Sequence, residues 1–415
     1  MLKILIGGSP CTHWSVAQKK NRETQPNSGI GWELFLNYKI ALEKYEPDYF
    51  LYENNKSAAQ PIKDEIARQL CVVEPDLLTP DNGHRMTHIN SSFVSAQNRE
   101  RFYVTNFGDI DLPQDRGILL QDVLDGTTDR EKARTVLSSI GRTTTREYFT
   151  KSQNTMAYEP VLMQYPRGKN KGGAIYGKAP TITSSSWQTN VKVVEPISCG
   201  QRLQDKSRTI TAGYQTCTQR DLRMDIETDG FMGKQGVIEN IPCYAIPIEW
   251  DEQGKPTKAV SFTDGKIYTV YEIKDGLITI KDKQYPIKLP DGFYIIRKLT
   301  VNECMRLQTI PDWYKFPVSD SQAYKMIGNG WTIEVITHLL SHIPNIWNEE
   351  IEVLSMYDGM SCGQIALREM GLERNLIKYY ATEIDKFAIQ TTQHNFPNTV
   401  QLGDAYQVRE RGWHI

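Results

Sequence analysis

The chain opens on the apolar run Leu2-Lys3-Ile4-Leu5-Ile6, which breaks at Gly7-Gly8-Ser9-Pro10-Cys11-Thr12. Such a run, stopped by glycine and proline, predicts a short buried strand that ends in a tight turn. The two glycines are expected to let the backbone turn sharply, and Pro10 to fix the dihedral before Cys11. In an open α/β sheet, ligands and chemistry collect at the carboxyl ends of the strands. A thiol in that turn is therefore a candidate nucleophile, although a lone cysteine is more often a small buried hydrophobe. The catalytic reading needs a partner group.

Glu53 supplies one. Asp48-Tyr49-Phe50-Leu51-Tyr52-Glu53-Asn54-Asn55 reads as a second apolar, aromatic strand, closed by a carboxylate and two amides. Between the two strands, residues 31–42 carry apolar positions at three- and four-residue spacing, which predicts a helix. A right-handed strand–helix–strand crossover makes the strands parallel, so Cys11 and Glu53 emerge on one edge. A thiol beside an acid suits addition to an electron-poor ring: sulfur attacks a carbon while the acid protonates a ring nitrogen.

At 415 residues the chain is too long for one typical core, and two lobes are expected. With 39% hydrophobic and 24% charged residues and a mean hydropathy of −0.49, it has an ordinary globular composition. No apolar stretch has the length of a membrane span, and Met1-Leu2-Lys3 runs straight into a strand, leaving no room for a signal peptide. Seven scattered cysteines without a C-x-x-C pair point to reduced thiols in a cytoplasm. The pairs His84/His88 and His338/His342 have helical spacing but no third ligand close in sequence, so no metal is expected. A net charge of −2 means that any nucleic-acid surface must be local.

The far end of the chain carries a second site. Ile351-Glu352-Val353-Leu354-Ser355-Met356-Tyr357 reads as a strand, followed by the turn Asp358-Gly359-Met360-Ser361-Cys362-Gly363 and a helix from about Gln364. Strand, glycine turn and helix N-terminus make the first unit of a nucleotide-type site, although without the phosphate-gripping G-x-G-x-x-G pattern. Lys378-Tyr379-Tyr380-Ala381-Thr382-Glu383-Ile384-Asp385 is a second strand, whose acid is placed to accept from ribose hydroxyls. Asn398-Thr399-Val400-Gln401-Leu402-Gly403-Asp404 is a third, whose acid could bond an adenine amino group. Either acid could instead cap the helix that follows it. Taken together, three such strand ends favour a ligand.

These segments resemble the cytosine-C5 DNA methyltransferases. In that family an S-P-C signature carries the nucleophile, matched by Ser9-Pro10-Cys11, and E-N-V carries the acid, matched by Glu53-Asn54-Asn55. Q-x-R-x-R is matched by Gln97-Asn98-Arg99-Glu100-Arg101, and residues 297–308 look like the structural motif before the last helix. Gly328-Asn329-Gly330-Trp331 looks like the final motif, which closes over the methionine part of S-adenosylmethionine. The resemblance implies that Cys11, Glu53, Arg99 and Arg101 are catalytic, with Arg99 nearest the ring. It places Ser9, Pro10, Asn54 and Gln97 at the substrate. It assigns S-adenosylmethionine to Tyr357, Asp358, Gly359, Met360, Ser361, Cys362, Gly363, Glu383, Ile384, Asp404, Asn329, Gly330 and Trp331. Thr12 replaces the usual glutamine, and Asn54 is read as a departure that puts an extra polar group near the cytosine pocket. Cys362 is read as a packing residue.

The motif order departs from the family, whose cofactor strands come first. Joining Ile415 to Met1 would restore it, so the chain resembles a circular permutant whose new link is the stretch around residues 342–350. Permutation is mild when old neighbours stay close and the cut lies in a surface loop. The expected architecture is an α/β, Rossmann-like S-adenosylmethionine-dependent methyltransferase fold. It has a permuted, mixed seven-stranded sheet and an inserted, mainly β target-recognition domain. The expected divisions are a catalytic half at 1–110, the recognition domain at 111–296, and the remainder with the cofactor part at 297–415.

In the middle, strand–helix alternation fails. Hairpins are predicted at Asp251-Glu252-Gln253-Gly254, Thr263-Asp264-Gly265-Lys266, Lys274-Asp275-Gly276 and Pro290-Asp291-Gly292. A weak internal echo links residues 179–184 with 207–212. Arg142, Arg146, Lys151, Arg167, Lys169, Lys171 and Lys178, opposed by Glu147 and Glu159 and interleaved with Tyr176 and Trp187, suggest a DNA-contacting face. Residues 13–29 suggest a lid. The expected function is a DNA (cytosine-5-)-methyltransferase that takes a flipped cytosine through a Cys11–C6 adduct. Its partner would be double-stranded DNA at a specific sequence, with a companion restriction endonuclease acting on the same site. A cytoplasmic monomer, bacterial or phage-encoded and free of membranes, is expected. The rival readings are an idle DNA-binding partner subunit, an RNA cytosine-C5 methyltransferase and a free-nucleotide methylase.

Overall fold

A computed structural model describes residues 1–10, 13–15, 22–72, 82–151, 154–161, 163–164, 191–192 and 245–415. Cys11, Thr12, the echo and the basic residues Arg167, Lys169, Lys171 and Lys178 lie outside the described residues, as do residues 16–21 of the expected lid. The chain forms two compact units. One comprises Met1–Ile118, Arg134–Gly141 and Cys304–Ile415; the other comprises Leu119–Ala133 and Arg142–Glu303.

The first unit is built on seven strands: β1 (Leu2–Gly7), β2 (Tyr49–Asn55), β3 (Arg85–Asn90), β4 (Glu100–Thr105), β5 (Ile351–Met356), β6 (Leu376–Thr382) and β7 (Val400–Gly403). They lie in the order β7-β6-β5-β1-β2-β4-β3. The pairs from β7 to β2 are all parallel, while β4 runs antiparallel to both β2 and β3. The sheet is thus mixed, as expected. β1 sits directly beside β5, with Gly7 opposite Met356. From that seam the chain moves outward in two directions, through β6 and β7 on one side and β2 on the other. Such a reversal opens a crevice at the carboxyl ends of the central strands.

Helix α1 (Ile30–Tyr45) makes the crossover from β1 to β2. Its buried positions include Trp32, Phe35, Tyr38, Ala41 and Tyr45, a stripe at three- and four-residue spacing. They join Leu5, Tyr52, Phe102, Leu354 and Met356 in one apolar cluster. Each such side chain stabilises the unit by about 1.5–3 kcal/mol through burial. Along β2 the side chains alternate, so Tyr52 and Asn54 leave one face and Glu53 the other.

The second unit is mainly antiparallel sheet. Its order is Lys283–Pro286, Leu277–Ile280, Ile267–Lys274, Gly292–Lys298 and Met156–Pro160, with Pro256–Ser261 pairing Ile267–Lys274 and Ala245–Trp250. The hairpins expected at 251–254, 263–266 and 274–276 form. The Asp275-Gly276 turn has both residues at positive φ, as a two-residue hairpin requires. Residues 290–292 do not make one: Gly292–Lys298 returns to pair with Ile267–Lys274 instead. A hairpin that the sequence reading missed turns at Lys281-Asp282, which adopts the same left-handed pair without glycine. Within this unit Arg297 is fully buried, with Nε 2.6 Å from Glu159 and Nη1 2.7 Å from Glu303. Burial raises the Glu159 pKa, although Arg297 opposes it. Glu159 is therefore not available to neutralise the surface arginines. Arg142 and Arg146 are exposed, while Lys151 pairs with Glu147 at 2.8 Å.

His88 lies within β3, so His84 and His88 do not share a helix. Among the described residues, no cluster of metal-binding side chains occurs, and no helix is long and apolar enough to cross a membrane.

Candidate active site

Glu53 lies near the end of β2 with 9% of its surface exposed. Its Oε1 accepts from Arg101 Nε at 2.9 Å, and its Oε2 accepts from Trp331 Nε1 at 3.0 Å. The turn after β1 passes close by. A Cβ added to Gly8 would lie 2.8 Å from Glu53 Oε2 and 2.7 Å from its carbonyl oxygen. Neither Gly7 nor Gly8 has positive φ, so these glycines permit close approach and do not supply a left-handed turn. This corrects the sharp-turn expectation. Ser9 is buried and Pro10 is exposed.

Asn54 projects from the opposite face of β2. Its Nδ2 donates to Ser9 O at 2.9 Å, Ser9 Oγ at 3.1 Å and Tyr52 Oη at 3.1 Å. Strand alternation thus removes Asn54 from the pocket side where the sequence reading put it, and makes it a tie for the turn that leads to Cys11. Gln97 is turned inward as well. Fully buried, it donates to Leu307 O and Gln308 Oε1 at 3.1 Å each, and accepts from Val136 N at 2.5 Å. A side chain with its amide engaged in this way braces the fold and does not face a substrate.

The two arginines divide their roles. Arg99 Nη2 donates to Gly330 O at 2.7 Å and Gly328 O at 3.3 Å, while its Nη1 reaches Val136 O at 3.3 Å. Arg101 touches the acid, with its Nε 2.9 Å from Glu53 Oε1. Gln308 was not singled out from the sequence as a site residue. Its Nε2 donates to Ile327 O at 2.8 Å, and its Oε1 accepts from Thr332 Oγ1 at 2.8 Å. The only sequence signal for it was its place in the motif at 297–308.

The loop after β5 places three residues in five at positive φ: Tyr357, Gly359 and Ser361. Neighbours hold this strained path. Tyr357 N donates to Thr382 Oγ1 at 3.0 Å, and Tyr357 Oη donates to Leu34 O at 2.8 Å. Asp358 accepts from Tyr379 Oη at 2.8 Å and from Ser361 Oγ. Burial pushes the Asp358 pKa up to about 6, against these hydrogen bonds. Met360 is buried, with its carbonyl accepting from Tyr314 Oη at 2.6 Å. Cys362 Sγ accepts from Trp331 N at 3.3 Å, and burial raises its thiol to about 12, which fits a packing residue. A Cβ on Gly363 would fall 2.1 Å from Ile6 Cδ1, so helix Cys362–Glu369 can sit this near β1 only with glycine there. Asn329 is exposed at the end of helix Asp320–Asn329, beside Gly330.

Glu383 and Asp404 behave differently. Glu383 Oε2 accepts from Gly359 N at 2.8 Å, and its Oε1 accepts from Ile384 N and Asp385 N at 2.7 Å each. Helix Lys386–Asn395 is capped by Asp385, not Glu383. Asp404 does cap, accepting from Tyr406 N at 2.9 Å, and stays exposed. A Cβ on Gly359 would meet no atom within 4 Å, so the loop faces open space. Ile384 is 74% exposed beside Glu383.

Near the expected lid, Trp14 is fully buried and its Nε1 donates to Glu23 Oε2 at 3.2 Å. Glu23 also accepts from Gly31 N at 3.1 Å, which ties the segment to the start of α1.

Comparison with known proteins places this geometry in context. The family model for the C-5 cytosine-specific DNA methylases matches residues 1–345. An orphan methyltransferase of Bacillus phage SPR, M.SPRI, is 24% identical over 400 residues, covering 84% of each chain. The crystal structure of the S. pombe Dnmt2 methyltransferase aligns with 83% of this chain and 78% of its own, at 11% identity and a TM-score of 0.35.

Proposed function

The chain belongs to the C-5 cytosine-specific DNA methylase family, and from that premise we propose that it methylates C5 of cytosine in double-stranded DNA at a specific sequence. Like its family, it uses S-adenosylmethionine. Bound in the crevice, this group supplies an electrophilic methyl. The loop 357–363 with Glu383, Ile384 and Asp404 would hold its nucleoside end, and Gly330 and Trp331 its methionine end.

The observation that carries this reading is the side-by-side pairing of β1 with β5. It sets the turn leading to Cys11 next to the loop that would hold the methyl donor, with Glu53 one strand away. Cys11 would add through its thiolate to C6 of the ring, forming a carbon–sulfur bond. The C5–C6 π pair then shifts toward N3, where Glu53 delivers a proton, and C5 becomes nucleophilic. After methylation, a base removes the C5 proton, the carbon–sulfur bond breaks and N3 returns its proton to Glu53, which restores the ring, the thiolate and the acid. Arg101 would hold the ring carbonyl from its place on Glu53. The target must leave the helix, because a stacked base hides its C6 face.

The same pairing supports a circular permutation. The family match stops at residue 345, before β5, yet β5 to β7 complete the sheet beside β1. The second unit, flanked in sequence by parts of the first, is proposed as the target-recognition domain, with Arg142 and Arg146 among its DNA contacts. The family description favours DNA over RNA, and the presence of both thiol and acid disfavours an idle subunit.

The test is transfer of labelled methyl from S-adenosylmethionine to duplex DNA, tRNA and free deoxynucleotides, with 5-methylcytosine mapped in the product. Duplex DNA should be labelled; label confined to tRNA or nucleotides would overturn the assignment. Cys11→Ser should abolish turnover and retain DNA binding. Substantial methylation by that variant would remove Cys11 from the scheme.

A further inference from the structure

The bond from Trp331 to Glu53 has no part in the scheme above. Glu53 carries one donor on each oxygen, Arg101 Nε on Oε1 and Trp331 Nε1 on Oε2. A carboxylate oxygen can accept more than one hydrogen bond, so each retains room for the ring it serves. The terminal torsion of glutamate is broad when free. With donors on both oxygens, the carboxyl plane is fixed.

Trp331 is itself held on both sides. Its backbone N–H donates to Cys362 Sγ at 3.3 Å, at the start of the helix that follows the cofactor loop. The preceding carbonyl, of Gly330, accepts from Arg99 Nη2 at 2.7 Å. The following residue, Thr332, is tied through its hydroxyl to Gln308 Oε1 and Ser91 Oγ at 2.8 Å each. Gln97 in turn holds Gln308 at 3.1 Å. Side chains that the motifs suggested were aimed at substrate therefore converge on the backbone around one indole.

We propose that Trp331 is a positioning residue for Glu53, fixing through its indole N–H the plane in which the acid meets the pyrimidine. It does so from the cofactor side of the crevice, so the loop that would hold the methyl donor and the acid share one rigid link. Orientation of this kind is a large part of a rate enhancement, because small displacements of a reacting group are costly. The inference rests on the methyltransferase reading for its consequences in turnover, but the bond can be tested without turnover.

Trp331→Phe keeps an aromatic ring and removes the donor. In full-length enzyme, kcat should fall about tenfold, the effect of losing one hydrogen bond to a charged group. Because phenylalanine keeps the ring that would pack on the methionine end, the calorimetric Kd for S-adenosylmethionine should rise by less than kcat falls. The indole ¹H–¹⁵N resonance lost in Trp331→Phe identifies Trp331, and in otherwise wild-type protein it should shift when Glu53→Gln is introduced. An unchanged kcat, a loss of kcat matched by an equal loss of cofactor affinity, or an indole signal indifferent to Glu53→Gln would each overturn the proposal. Absence of methyl transfer by the wild-type protein to every nucleic acid would instead overturn the methyltransferase reading, and the indole shift would still decide the bond.

Discussion

The acid and the cofactor loop present polar groups at the same edge of one sheet, but they are held in different ways. Glu53 depends on partners from distant elements, Arg101 in β4 and Trp331 beyond helix Asp320–Asn329. The loop at 357–363 has distant ties too, Tyr314 Oη to Met360 O and Tyr357 Oη to Leu34 O, but it is also bonded within its own turn, where Ser361 bonds Asp358, and to Glu383, which accepts from Gly359 N. A site held only from afar can lose its chemistry while the fold stays intact. A loop bonded within its own strained turn depends in addition on its own packing.

Glu53→Gln should break this comparison most sharply if it is wrong. The amide keeps the volume, but its single oxygen can accept from only one of the two donors, Arg101 or Trp331, and it cannot serve as the acid. Methyl transfer should fall by a factor of about 10²–10⁴, with cofactor affinity and thermal unfolding nearly unchanged. Steady-state rates together with calorimetry check this; a fall below about tenfold would mean that the acid is elsewhere.

Gly363→Ala probes the other side. The new methyl would press on Ile6 Cδ1 at 2.1 Å and Tyr379 Oη at 2.7 Å. Overpacking of this sort costs about 1–3 kcal/mol, and here it would also push the cofactor helix from β1. Urea unfolding should show that loss, with weakened S-adenosylmethionine binding. Unchanged stability would show that the helix can shift without cost, and that the loop is less constrained than its neighbours suggest.

The two halves also differed in how legible they were. Strand–helix–strand order and the three acids at strand ends follow from apolar runs and turn residues, which act locally, whereas the mixed sheet was expected from the family resemblance. The contacts of Asn54, Gln97 and Arg99 were not legible because motif membership does not say which face of a strand a side chain leaves from. Alternation along β2 turns Asn54 away from Glu53, and only the folded arrangement shows that Arg99 reaches Gly328 and Gly330. The indole bond to Glu53 spans 278 positions and has no local signature. The Lys281-Asp282 hairpin was missed for a related reason: both residues adopt left-handed backbone, which the sequence reading expected of glycine.

Asp358 gives a smaller effect with a definite sign. Its carboxyl is raised from 3.8 to about 6 in the folded protein. The stability tied to its protonated form is fully present below about pH 3.8 and is lost as pH rises through 6. Asp358→Asn stays neutral throughout and escapes that loss. The variant should therefore gain on the wild type by about 1 kcal/mol between pH 5 and pH 8 in urea unfolding. A gap that is flat or narrows over that range would mean that Asp358 is not buried as an uncompensated carboxylate.

Asn54→Val should have the smallest effect on chemistry and is the finest test of the comparison. Valine removes the amide that donates to Ser9 O, Ser9 Oγ and Tyr52 Oη. Tyr52 Oη and Ser9 Oγ still reach each other at 2.8 Å, so the principal orphan is the Ser9 carbonyl. The expected cost is about 1 kcal/mol of stability, typical of one lost buried hydrogen bond. Because the side chain leaves β2 on the face opposite Glu53, KM for DNA should stay within about twofold of the wild type. If instead DNA affinity falls steeply while stability holds, Asn54 reads the base after all. The acid corner would then reach around both faces of its strand, and the contrast with the internally bonded loop would have to be drawn at β1.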